Sequence, residues 1–348
     1  MGLERQGWSV VYANDLDPDK HEIYGHNFPD ADDHFELEDI HKLKAANLPD
    51  AVLATASFPC NDLSLAGARA GLGGKQSSAF WGFIQVLEGM GNRRPKIVLL
   101  ENVVGFLNSN GGQDFKSALI ALNQLGYAVD SIIIDAERFV PQSRKRLFVV
   151  GSLANDGVEC PLVFNSEHRP KAMADFIMSH KGIMWKIRNL PALPNRSMEF
   201  ESILEDLPHD AEQWWSEERA LYLLNQMSPK HLASAEKLIG RRKWSYGTVF
   251  RRVRNGKSMG ELRLDGIAGC LRTPRGGSGR QILFKAGFSK YFVRLLTPRE
   301  CARLMGADDF KVEVPLNQAL FGFGDAVCVP VIQWIAANYL DPLLDELK

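Results

Sequence analysis

Five short apolar runs organise the first half of this chain, at residues 9–13, 51–56, 97–100, 128–135 and 147–151. Stretches with helical spacing separate them, as at 79–90 and 115–125. Strand–helix alternation of this kind predicts an α/β architecture, a mostly parallel sheet covered on both faces. In such sheets functional side chains gather at the carboxyl ends of strands. Asp15, Cys60 and Glu101 each stand just after one of the runs.

Past residue 155 the alternation breaks. Pro161, Pro170, Pro191, Pro194 and Pro208 punctuate a stretch with no clear repeat, so 165–316 reads as a second, smaller, irregular domain. Residues 318–340 regain a helical pattern. The chain has 348 residues, 45% of them hydrophobic, which suits one large or two ordinary domains. No apolar run approaches the roughly 20 residues of a membrane span, and no signal peptide is visible. Five cysteines, widely spaced, form neither a disulfide framework nor a CxxC metal pattern. No metal site is expected, and a reducing cytoplasm fits best.

The net charge of −1 says less than its distribution. Between residues 240 and 290 stand thirteen Lys or Arg against two acids, Glu261 and Asp265. A basic segment inside a neutral protein is the footprint expected of a phosphate-backbone partner. The alternative is a solvated face. Trp244, Tyr246 and the interspersed glycines argue against a plain solvated helix.

Four short segments fall in fixed order: Phe58-Pro59-Cys60-Asn61-Asp62-Leu63-Ser64, Glu101-Asn102-Val103, Gln142-Ser143-Arg144-Lys145-Arg146 and Gly324-Asp325-Ala326-Val327. Cys60 ends an apolar strand, where a partly exposed thiolate could act as a nucleophile; a buried structural cysteine is the commoner case. Glu101 reads as an acid–base group or as a helix-start carboxylate. Arg144 and Arg146 alternate, so in an extended segment they share one face. Residues 65–78 carry Gly67, Gly71, Gly73 and Gly74, a density that argues for a mobile loop.

Together and in this order these segments resemble the DNA cytosine-5 methyltransferases, and the resemblance covers nearly the whole chain. It implies a Rossmann-like methyltransferase sheet, with 1–164 and 317–348 forming the catalytic domain and 165–316 a target-recognition domain. Cys60 would attack carbon 6 of cytosine, and Glu101 would contact ring N3 and the amino group. Arg144 and Arg146 match arginines near the base carbonyl and catalytic loop. Ser64 and Gln142 are expected at the DNA, Gln142 as support for the loop. The glycine-rich segment would close over DNA once the base has left the stack.

The resemblance also implies S-adenosylmethionine as methyl donor. Asp15 matches the acid that binds the ribose hydroxyls, and Asp39 and Ile40 match the pair that holds the adenine. Phe80 would line the same pocket, and Asp325, Ala326 and Val327 would complete the methionine end. Family members commonly have Asn where Asp325 stands. They also begin with a strand and a turn of the form F-x-G-x-G-G before a helix. Gly2-Leu3-Glu4 and Gly7-Trp8 match only the latter part of that helix. The expectation is either an internal start, which is favoured, or a truncated, non-catalytic version.

Within the basic stretch, Arg272-Thr273-Pro274-Arg275-Gly276-Gly277-Ser278-Gly279-Arg280 combines arginines that can read guanine with glycines that allow close approach. Arg272, Arg275, Gly276, Gly277 and Arg280 are the expected DNA contacts. The family usually has Thr-Leu or Thr-Val where Cys270-Leu271 aligns. Residues 294–306 resemble the family's penultimate motif, in which Thr297-Pro298-Arg299-Glu300 also reads as a capped helix start.

The leading expectation is a monomeric, cytoplasmic DNA (cytosine-5) methyltransferase acting on double-stranded DNA, with no membrane association. A cognate restriction system would be its partner. The alternatives are a transfer-RNA cytosine-5 methyltransferase and a non-catalytic DNA-binding protein. The long basic domain favours DNA.

Overall fold

The computed structural model describes residues 1–58, 78–153, 165–273 and 279–348. Cys60, Ser64, Arg275, Gly276 and Gly277 lie outside the described residues. The chain forms two compact units. One, the α/β unit, comprises Leu3–Asp135, Lys145–Leu193 and Gln333–Lys348; the other, the β unit, comprises Met1–Gly2, Ala136–Arg144 and Pro194–Ile332.

In the α/β unit, β1 (Ala13–Asp15) pairs in parallel with β2 (Phe35–Leu37). A separate sheet holds β3 (Leu53–Ser57), β4 (Ile97–Val103), β5 (Tyr127–Asp135) and β6 (Lys145–Leu153) in the order β3-β4-β6-β5. The β3–β4 pair is parallel, but β6 runs antiparallel to both neighbours. The expected mostly parallel sheet is therefore corrected to a mixed one. The connection 136–144 is shorter than the dozen or so residues that a parallel crossover needs, so β5 returns as β6 in the opposite direction.

Two helices cover this sheet, Ser78–Met90 and Gln113–Gln124. Phe80, Leu87, Phe115 and Leu122 pack with Val98, Leu100, Val129 and Val149 in one core. Although β5 ends the ladder, its outer edge is not bare. Val129 N and Ile133 N donate to Met184 O and His168 O, and Lys186 N donates to Val129 O. Such cover removes the hazard of an open edge. It also explains why residues 165–193 count with this unit.

The β unit is built on β7 (Ser245–Arg254), β8 (Lys257–Arg263), β9 (Ile282–Gly287) and β10 (Lys290–Leu295), all antiparallel, in the order β10-β9-β7-β8. Val249, Phe284, Ala286 and Val293 pack against Leu223 and Leu238 from the helices Glu217–Asn225 and Pro229–Ile239. The helix Pro298–Leu304 starts as its sequence predicts: Thr297 caps, Pro298 opens the first turn and Glu300 closes a capping box. The apolar stretch Leu316–Glu346 has the length and composition of a membrane span. It breaks after Asp325, however, and Ile335, Tyr339, Leu340 and Leu343 are buried inside the protein.

Candidate active site

Glu101 lies inside β4 rather than after it, because β6 pairs with β4 as far as Val103↔Arg146. Glu101 itself opposes Phe148, which puts Arg146 on the diagonal of the same face. Arg146 Nε stands 2.9 Å from Glu101 Oε1, with the two side chains only 14% and 12% exposed. On the other side of β4, Ser57 is the ladder partner of Glu101. Asn102 Nδ2 donates to Phe58 O at 2.9 Å, which ties the end of β3 to the same place. A carboxylate, a guanidinium and the strand that leads into Pro59-Cys60 therefore converge on one sheet edge.

Arg144 does not share a face with Arg146. Residue 144 precedes the β6 ladder and belongs to the β unit, so the alternation does not reach it. Its guanidinium is buried and braces main chain: Nη1 donates to Leu271 O at 2.7 Å, and Nη2 to Gly324 O at 2.9 Å and Ala326 O at 2.6 Å. Gln142 is also buried. Its Nε2 donates to Leu304 O at 2.8 Å while its Oε1 accepts from Leu271 N at 3.0 Å. The expected DNA contact by Gln142 is corrected: both ends of the amide are committed within the fold. Gln142 and Arg144 thus hold the two sides of Leu271.

The expected cofactor residues are divided between the units. Asp15 closes β1, its Oδ1 accepting from Asp17 N at 3.0 Å and its Oδ2 3.6 Å from Lys20 Nζ. Asp39 caps the turn Ile40–Lys42 by accepting from His41 N. Asp15 closes β1 and Asp39 follows β2 by two residues, so two carboxylates stand at the ends of this parallel pair, acceptors that suit the hydroxyls and amino group of an adenosine. Ile40 packs close to Gly82 on the helix Ser78–Met90. Phe80 is a correction: it is buried against Phe58, with ring centroids 5.1 Å apart, and belongs to the core rather than to a pocket wall. In the β unit, Asp325 is exposed and accepts from Thr273 Oγ1 at 2.9 Å, and Ala326 and Val327 are half-buried. A methyl group on Gly324 would come within 2.4 Å of Thr273 N, so only glycine allows these two segments to touch.

Of the expected recognition residues, Arg272 is exposed and Arg280 donates to Asn317 Oδ1 at 2.6 Å. Two buried ionic clusters were not foreseen. Asp130 accepts from Arg169 Nη2 at 2.8 and 2.6 Å, from Tyr339 OH at 2.9 Å and from Arg188 N at 3.0 Å. Its signal was available, since it is a lone charge inside the apolar run 127–134. Arg294 and Glu300 form a bidentate pair at 2.7 and 2.6 Å.

The family described as C-5 cytosine-specific DNA methylase matches residues 1–340. The type II methyltransferase M.NgoBI of Neisseria gonorrhoeae is 25% identical over 335 residues, covering 96% of this chain and 86% of its own. M.HhaI of Haemophilus parahaemolyticus is 26% identical over 347 residues, covering 97% and 89%. Among solved structures, the S. pombe Dnmt2 methyltransferase superposes with a TM-score of 0.63 at 19% identity, covering 98% of this chain and 94% of that one. These likenesses identify the α/β unit as a Rossmann-like methyltransferase fold. The match along almost all of the chain places it in the C-5 cytosine-specific DNA methylase family, enzymes that depend on S-adenosylmethionine.

Proposed function

We propose that this chain methylates carbon 5 of a flipped-out cytosine in double-stranded DNA through a transient bond to Cys60. The Glu101–Arg146 pair carries the reading, because it stands beside the strand that runs into Cys60. Carbon 5 of cytosine is a poor nucleophile. A thiolate that adds to carbon 6 turns the ring into an enamine, and carbon 5 can then take a methyl group. Loss of the carbon 5 proton and expulsion of the thiolate restore the ring and free Cys60. Glu101 hydrogen-bonds ring N3 and the amino group, which makes carbon 6 more electrophilic. Arg146 orients Glu101 and lies toward the base carbonyl. Arg144 acts indirectly, by bracing Leu271 and the Gly324–Ala326 main chain.

S-adenosylmethionine, when bound, supplies an electrophilic methyl group. Asp15 would hold the ribose, Asp39 and Ile40 the adenine, and Asp325, Ala326 and Val327 the methionine end. In this reading the α/β unit carries the catalytic groups and the β unit recognises the target, so that 165–193, expected from the sequence to belong with recognition, go instead with the catalytic sheet whose edge they cover. Ser64, Arg272, Arg275, Gly276, Gly277 and Arg280 contact DNA. The enzyme works as a cytoplasmic monomer and protects sites from a cognate restriction system. The test uses S-adenosylmethionine labelled in its methyl group, with duplex DNA and transfer RNA as separate acceptors. Label recovered in 5-methyl-2′-deoxycytidine supports the proposal. Label in RNA alone favours the transfer-RNA reading, and none in either favours a non-catalytic DNA-binding protein.

A further inference from the structure

The corner where β9 turns into β10 differs from the rest of the β unit. Phe288 and Ser289 both adopt left-handed backbone, with φ of 53° and 60°. Gly287 pairs with Lys290, so these two residues are the centre of a two-residue hairpin, whose geometry requires left-handed backbone at both; Gly, Asn and Asp are the usual occupants, and a phenylalanine there is out of the ordinary. The turn is pinned: Phe288 N donates to Arg241 O and Ser289 N to Ile239 O. Phe288 is thereby held 52% exposed. Its ring stands edge-on to Trp244, with centroids 5.3 Å apart, and Trp244 meets His209 at 5.2 Å. His209 is itself exposed and lies flat on Phe292 at 4.5 Å. A plain hydrophobic plug would bury its outermost ring.

Positive charge surrounds these rings. Lys285 is 7% exposed, and its Nζ lies 5.1 Å from the Trp244 centroid. Arg242, Lys243 and Lys290 are exposed and form no ion pair among the described residues. On β7 and β8, by contrast, Arg254 pairs with Glu261 and Arg263 with Asp265. Open aromatic faces beside uncompensated cations suit an unpaired base and its phosphates.

We propose that this corner is a second nucleic-acid contact, which stacks an unpaired base of single-stranded DNA against Phe288 and Trp244 and takes the neighbouring phosphates on Lys243 and Lys290. It lies at the opposite end of β9 from Arg280, separated by strand of about 3.3 Å per residue. The proposal goes beyond the methyl-transfer reading and does not depend on it. A base held in a duplex stack cannot offer its face, so duplex DNA should bind here poorly.

The test is fluorescence anisotropy of a labelled oligothymidylate about twelve nucleotides long, titrated with the full chain. Glycine suits the left-handed backbone, so Phe288→Gly removes the ring without strain. It should weaken binding by about 5- to 100-fold. Lys290→Glu should weaken it further and flatten the salt dependence. An affinity unchanged in Phe288→Gly, or tighter binding of oligouridylate or duplex than of oligothymidylate, overturns the proposal. Methylation of duplex DNA is read in parallel and should be equal in wild type and Phe288→Gly. Absence of methylation from both would count against the proposed function and leave the binding result standing.

Discussion

Arg146 reaches diagonally across the β4–β6 ladder to Glu101, 2.9 Å from Nε to Oε1, while Arg144, two residues earlier, is committed to the carbonyls of Leu271, Gly324 and Ala326. Two arginines that look equivalent in sequence thus have different work. One stands at a carboxylate on a sheet edge, and the other braces main chain in the β unit.

Glu101→Gln keeps the shape of the side chain but removes its charge and its match to Arg146. We expect methyl transfer to fall by about 10²- to 10⁴-fold, and thermal stability to fall as well, because the largely buried Arg146 guanidinium is left without its carboxylate. Arg146→Ala should cost a similar factor, and the double variant should lose less than the product of the two. Single-turnover rates of the three variants check this; strictly multiplicative losses would argue that the pair does not act together.

Cys60→Ser should abolish the covalent complex with duplex DNA containing 5-fluorocytosine while leaving non-covalent binding intact. The hydroxyl is a far weaker nucleophile than a thiolate. Denaturing gel electrophoresis reads the adduct directly. A band of undiminished intensity from the serine variant would remove Cys60 from the mechanism.

Arg144→Lys retains a charge but cannot span three carbonyls. Each charge-assisted hydrogen bond lost costs about 1.5–3 kcal/mol. Gly324→Ala forces a methyl group against Thr273 N and should cost about 1–3 kcal/mol. Both variants should lower the urea midpoint. Both should also increase proteolysis near Thr273, because the same contacts hold that segment.

Asp130→Ala leaves the Arg169 guanidinium buried without its acid. The loss should be about 3–5 kcal/mol, whereas Tyr339→Phe removes a single hydrogen bond and should cost about 1 kcal/mol. Denaturant melts of the two variants test this ratio.

Stability should fall on mild acidification through His168. Burial holds its imidazole below the ordinary value, with its ring stacked on Trp334 at 5.4 Å and Glu167, Arg169 and Asp130 nearby. The unfolded chain therefore takes up the proton first as pH falls. The stabilising effect of the neutral ring is complete above about pH 6.5 and declines as pH drops from there through the folded pKa. In His168→Phe, the drop in urea midpoint between about pH 7.5 and about pH 5.5 should be smaller than in wild type. An identical drop would show that other groups carry the acid sensitivity.

Local rules that act within a few residues were legible in the sequence. Apolar runs gave the strands near 53–57, 97–103, 127–135 and 145–153, and Thr297-Pro298-Arg299-Glu300 gave a capping box at its actual place. The four short segments that contain Cys60, Glu101, Arg146 and Asp325, taken together and in order, pointed to the family. Strand order was decided only by tertiary structure: β6 inserts between β4 and β5, and that placed Arg146 on the diagonal of Glu101. Burial was decided there too. Gln142 and Arg144 read as site residues until distant carbonyls and main-chain groups, contributed by Leu271 and Leu304, supply their partners, and the partner of Asp130, Tyr339, lies 209 residues away. A residue's own type sets which bonds it can make. Only the folded chain decides which groups are close enough to make them.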